Sequence, residues 1–179
     1  MIEMPPGRPA RHRRRRASLA AIGVYAVALG ATVAFPPTPR LLWNATASAP
    51  IGLYWIVPEA AVPRGELVAA RLPEPVRALA AWRDYLPSHV PVMKRVAARE
   101  GDTVCAFGEI VFINGQRVAR RYRADGKGRP LPWWMGCRTL APGELFLLMS
   151  AHPASFDGRY FGVTETHDVI GKAVPLWTR

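Results

Sequence analysis

From Ala17 to Phe35 the chain carries no charge and is rich in Ala, Val, Leu and Ile. At 1.5 Å per residue, a helix over this stretch is roughly 28 Å long, close to the hydrocarbon thickness of a bilayer. Pro36-Pro37-Thr38-Pro39 stops the helix and makes a stiff spacer. Beyond it the pattern changes to short apolar runs broken by turn residues. Leu53–Val57 and Glu66–Ala70 read as strands around a turn at 58–65. Glu74–Leu86 has helical spacing, with Pro75 suited to the first turn. Val76, Leu79, Trp82, Tyr85 and Leu86 form its apolar side. Val90–Ala97 reads as a strand followed by a Glu100-Gly101-Asp102 turn. Asn114-Gly115 joins Glu109–Ile113 to Gln116–Arg120 with the strongest short hairpin signal in the chain. A polar loop with two tryptophans covers 123–134, and Leu145–Ser150 and Val169–Val174 are the last strands. One helix among many short strands predicts a mainly β domain behind a single transmembrane helix.

Charge sharpens this picture. The net charge is +11, but Arg8, Arg11, Arg13, Arg14, Arg15 and Arg16 crowd the first sixteen residues against the single acid Glu3. A basic tail running into an apolar segment fits membrane topology better than nucleic-acid binding. There is no zinc-finger spacing and no basic helix leading into heptads, so nucleic acid is not an expected partner. The predicted order is a cytoplasmic tail (1–16), an anchor (17–35) and an outward-facing domain (36–179). The competing reading is a cleaved signal peptide, for which the apolar run is long. The histidines are scattered and no glycine loop cradles a phosphate, so neither metal nor cofactor is expected. Cys105 and Cys137 are the only cysteines, and an oxidising compartment would allow them to pair.

Candidate chemistry lies just beyond the anchor. In Thr46-Ala47-Ser48-Ala49-Pro50-Ile51-Gly52, Pro50 fixes its own φ and pushes Ala49 toward an extended conformation. Ser48 is thereby held on a stiffened loop. Most serines in such loops only satisfy a turn. The composition supplies a partner, because only Lys94, Lys127 and Lys172 among the 24 basic residues are lysine. Guanidinium cannot lose its proton in proteins, whereas a buried lysine can act as a base. Lys94, in a strand among apolar neighbours, is the candidate. The competing reading is a surface lysine with its amine in water. His89 and His152 are alternative bases.

Four segments in order behind the anchor resemble the type I signal peptidase superfamily, and most of all its conjugative-transfer branch, the TraF-type peptidases. They are Ser48-Ala49-Pro50-Ile51-Gly52-Leu53-Tyr54-Trp55, Arg64-Gly65-Glu66-Leu67-Val68, Lys94-Arg95-Val96 continuing to Gly101-Asp102-Thr103-Val104, and Ser155-Phe156-Asp157-Gly158-Arg159-Tyr160-Phe161-Gly162. Glu66 stands where aspartate is usual. The acidic and amide residues that precede the last segment in housekeeping enzymes are replaced by Met149 to Ala154, which favours the conjugative branch.

The resemblance implies a signal-peptidase-like β domain with Ser48 as nucleophile and Lys94 as general base. It implies that Ser155 bonds the lysine amine and that Asp157 and Arg159 brace that wall. Thr46 would join the Ser48 amide in binding the oxyanion. The implied substrate is a membrane-bound precursor, a pilin or another preprotein, at the periplasmic face of a bacterial inner membrane. The acyl group would be released by water or, in some members, passed to the pilin's own N-terminus. The rival readings are a housekeeping signal peptidase, a silent scaffold of a conjugation or secretion apparatus, and a self-cleaving repressor. Residues 1–40 carry an anchor and no helix-turn-helix, which argues against the last.

Overall fold

A computed structural model describes residues 9–34, 40–58 and 62–179. The chain divides into two compact units, Met1–Thr38 and Pro39–Arg179. In the first, helix α1 runs from Pro9 to Ala34. It begins earlier than the apolar pattern predicts, because arginine is a good helix former and lets the helix extend back through the basic run. Its segment Arg14–Ala34 is long and apolar enough to cross a membrane, and apolar side chains from Leu19 to Val33 are exposed along it. The proline spacer at 36–39 lies outside the described residues, as do Phe35 and the first eight residues of the basic tail.

The second unit is mainly β, with eleven strands among the described residues. They are β1 (Leu41–Asn44), β2 (Gly52–Val57), β3 (Leu67–Ala70), β4 (Val92–Arg99), β5 (Thr103–Phe107), β6 (Ile110–Ile113), β7 (Gln116–Arg120), β8 (Gly136–Thr139), β9 (Glu144–Leu148), β10 (Thr164–Glu165) and β11 (Val169–Thr178). Seven form one sheet in the order β1-β2-β11-β3-β4-β9-β10, and four form a smaller one in the order β7-β6-β5-β8. Strand β3 is buried throughout. Its Leu67 and Ala69 pack with Tyr54, Ile56 and Met93, and its Val68 and Ala70 with Val96 and Leu147. This two-sided burial explains why β3 reads as a continuous apolar run rather than an alternating one. Between the sheets, Val104, Val111 and Ile113 share a core with Phe146 and Leu148.

Glycines fix two of the registers. At the tip between β6 and β7, Asn114 and Gly115 have φ of 50° and 79°, so Ile113 pairs with Gln116 across a two-residue loop. At Gly52 the carbonyl of Trp177 would lie 2.0 Å from an added Cβ. Only glycine lets β11 approach β2 there.

Strand β11 continues past the predicted end at Val174. Proline removes a ladder donor and ordinarily ends a strand. Here Pro175 sits where the register with β2 shifts, and the strand runs on to Thr178. Helix α2 spans Glu74–Trp82 and ends four residues before the predicted Leu86. Asp84 takes a left-handed φ of 58°, which a helix cannot continue. Trp82 is also not on the packed side, being 76% exposed, while Ala80 is the buried helix residue.

Candidate active site

The loop 45–51 joins β1 to β2, and its shape is set by an amide the sequence pattern passes over. Asn44 ends β1 and is buried. Its Nδ2 donates to the carbonyls of Thr46 (2.9 Å), Ala49 (3.0 Å) and Pro50 (3.0 Å). Its Oδ1 accepts from the Thr46 amide (3.1 Å) and the Thr46 hydroxyl (2.8 Å). The buried Tyr54 donates its hydroxyl to the Pro50 carbonyl at 2.7 Å. One side-chain amide thus satisfies carbonyls at both ends of the serine loop, and the phenol clamps its proline. The signal in the sequence was the Asn44-Ala45-Thr46 spacing of an Asx turn.

Strand β4 brings Lys94 beside this loop. Lys94 is 4% exposed, and Val68, its partner on β3, is fully buried. Its Nζ lies 3.1 Å from Ser48 Oγ and donates to Ser155 Oγ at 2.9 Å. Burial pushes the Lys94 pKa down from 10.5 to about 8. The negative charge of Asp157 opposes this shift and the positive charge of Arg159 adds to it. A neutral amine has one lone pair and two hydrogens, so it can donate to Ser155 while accepting the Ser48 proton.

Behind the lysine, Asp157 and Arg159 are a buried pair. Arg159 Nε donates to Asp157 Oδ1 at 2.8 Å and Nη2 to Oδ2 at 3.2 Å. The guanidinium also donates to the carbonyls of Met149 (2.8 Å), Pro153 (2.9 Å) and Arg120 (3.1 Å). Asp157 Oδ2 accepts from the Met149 amide at 3.0 Å, and its Oδ1 from the Arg159 amide at the start of helix α3 (Gly158–Phe161). Removing either partner would strand a buried charge, so the pair fixes the segment that carries Ser155.

The structure therefore brings Ser48, Lys94, Ser155, Asp157, Arg159 and Thr46 into one neighbourhood. The Thr46 hydroxyl stands 3.4 Å from Ser48 Oγ, but its hydrogen is directed to Asn44 rather than into the cleft. Cys105 and Cys137 are joined by a disulfide between β5 and β8 in the smaller sheet, and neither lines the cleft. His152 lines the cleft; His89 does not. Among the described residues no group of three or more His, Cys, Asp or Glu side chains is arranged to hold a metal ion.

Ser48 and Lys94 open onto a cleft of about 820 Å³. Leu72, Leu86, Val90, Val92, Leu131 and Phe156 give it apolar walls. The cleft thus sets a serine hydroxyl and a buried amine among apolar side chains.

The family model for signal peptidase, peptidase S26, matches residues 13–177. A plasmid transfer protein TraF from Escherichia coli is 33% identical over 175 residues, covering 92% of this chain and 97% of that protein. A second TraF plasmid transfer protein from Escherichia coli is 36% identical over 66% of this chain and 72% of its own. The crystal structure of a signal peptidase I from Enterococcus faecalis V583 aligns with 63% of this chain and 96% of its own, at 22% identity and a TM-score of 0.37. The family model spans nearly all of the chain and a relative 33% identical covers 92% of it, and on that ground this chain belongs to the signal peptidase family, peptidase S26.

Proposed function

We propose that this protein is a membrane-anchored serine endopeptidase that matures a pilin precursor for conjugative transfer, using Ser48 and Lys94 as a dyad. The observation that carries the reading is the buried Lys94 amine placed between Ser48 Oγ at 3.1 Å and Ser155 Oγ at 2.9 Å. Neutral Lys94 takes the Ser48 proton as Oγ attacks the substrate carbonyl, and returns it to the leaving amine. Ser155 orients the amine, and the Asp157–Arg159 pair holds Ser155. The Ser48 amide stabilises the oxyanion, and Thr46 and Asn44 keep that amide in place. The acyl-enzyme is then resolved by water or by an amine, with Lys94 again taking the proton. Likeness to TraF plasmid transfer proteins supports the conjugative substrate class. The basic run before the apolar helix supports a cytoplasmic N-terminus and a periplasmic β domain in the inner membrane.

The test is co-expression of wild type, Ser48→Ala and Lys94→Ala with a pilin precursor from the same gene neighbourhood, the product being read by mass spectrometry. Processing by wild type alone supports the dyad, and a product one water lighter than the linear peptide reveals ring closure. Equal processing by the variants removes the dyad and leaves a scaffold role. Broad cleavage of unrelated signal peptides would instead favour a housekeeping enzyme.

A further inference from the structure

Strand β8 has few ties to the rest of the unit. It lies at the edge of the smaller sheet and pairs with β5 alone. None of its residues is buried, so no side chain of β8 anchors it in a core. Beside the backbone ladder, the Thr139 hydroxyl meets that of Thr103 at 3.0 Å, and Arg138 pairs with Glu144. Both contacts are exposed, and exposed polar pairs contribute little to holding a strand in place. The remaining tie is covalent. Cys137 stands directly opposite Cys105 in the register, and the two are joined.

The residues on either side of β8 are anchored without it. Trp134 donates its indole Nε1 to the Gly158 carbonyl at 3.0 Å and packs edge-on against Phe146. Leu140 is buried in the core between the sheets, its amide donating to the Asp102 carbonyl at 2.8 Å and its carbonyl accepting from the Gly101 amide at 2.9 Å. An opening of β8 is therefore bounded by Trp134 and Leu140. The bond that prevents it faces outward. On β5 the alternate residues Val104 and Ala106 are buried in the core, while Phe107, two residues beyond Cys105, is 55% exposed. Cys137 is exposed and Cys105 half-buried.

We propose that the Cys105–Cys137 bond is a redox-sensitive strap: it holds β8 on the smaller sheet, and its reduction by a dithiol lets Met135–Thr139 leave while the rest of the β unit stays folded. One thiolate of the dithiol attacks Cys137 Sγ, the more exposed sulfur on the edge strand. The S–S bond breaks, and Cys105 leaves as a thiolate and takes a proton. The second thiol then attacks the mixed disulfide and releases the Cys137 thiol, so two electrons pass to the bridge and the dithiol ends as a disulfide. A short edge strand with no buried side chain then opens at low free-energy cost. Its departure bares the unpaired side of β5, a strand edge open to new pairing.

The strap is independent of Ser48 and Lys94, and its test uses no peptidase activity. The reductant is dithiothreitol, added to the folded full chain in detergent, and brief trypsin digestion read by mass spectrometry shows where the chain opens. Arg138 is a trypsin site within β8, and Arg95 and Arg99 are sites on β4 in the larger sheet. Dithiothreitol is expected to reduce the bond without denaturant, so that both cysteines become open to alkylation. Cleavage after Arg138 should then be at least about tenfold faster than in the oxidised chain, with cleavage after Arg95 and Arg99 unchanged. Cys105→Ser/Cys137→Ser should be cut after Arg138 at the reduced rate without any reductant. A bond reduced only in denaturant, or equal cleavage after Arg138 in both redox states, overturns the proposal. So does faster cleavage at Arg95, Arg99 and Arg138 together, which would mean that reduction unfolds the whole unit.

Discussion

Lys94 shows how much one side chain can cost a fold that uses it. With a folded pKa of about 8 against an ordinary 10.5, the charged amine is disfavoured by burial. The corresponding cost is roughly 3 kcal/mol, on the scale of 1.4 kcal/mol per unit. Below pH 8 the lysine is charged in both states, and the folded chain bears the whole cost. Between about pH 8 and 10.5 the unfolded chain binds more protons, so stability rises with pH across that window. Denaturant unfolding at pH 7 and pH 10 is expected to show this rise in wild type. In Lys94→Met the rise disappears, and the variant is the more stable at pH 7. With Lys94 as the proposed base, the acylation rate is expected to climb with a midpoint near pH 8. A stability curve with the same slope in both proteins would refute the assignment of that cost to Lys94.

Elements, rather than residues, explain what the sequence revealed and what it hid. The hairpin around Asn114-Gly115 was legible because its left-handed turn demands those residue types. Strand β3 and the start of α2 were legible from apolar runs and from Pro75. Strands β1, β5 and β8 were not; each is short, and β8, largely exposed, pairs with β5, a strand distant in sequence. The site divides in the same way. Ser48 and Lys94 stood out by loop chemistry and by the rarity of lysine. Asn44 and Tyr54 did not, since their importance lies in carbonyls that only folding brings near.

The disulfide belongs to this scale too. It staples neighbouring β5 and β8 and closes the segment containing β6, β7 and the loop that forms one wall of the cleft. With a separation of 32 residues, the chain-entropy model gives it about 3–4 kcal/mol. A Cys105→Ser/Cys137→Ser variant is expected to lose stability of this order in denaturant unfolding. A loss below about 1 kcal/mol would mean the sheet holds itself without the bridge.

For the whole molecule, Met1–Thr38 and Pro39–Arg179 are separate compact units, and among the described residues the second contains every strand and every cleft-lining residue. Deleting residues 1–38 is expected to release the protein from membranes at alkaline pH, where the full chain stays bound. The unfolding midpoint of the β unit should be nearly unchanged. A truncated chain that fails to fold would show that the anchor supports the domain as well as tethering it.

The place of β11 in the larger sheet carries one more consequence. It follows the other described strands in sequence, yet it lies between β2 and β3. The Ser48 loop hangs from β1 and β2, and Lys94 rides on β4, so within the sheet the path from one to the other runs through Val169–Thr178. A chain lacking residues 169–178 would keep Ser48 and Lys94 but lose the strand that sets the distance between them.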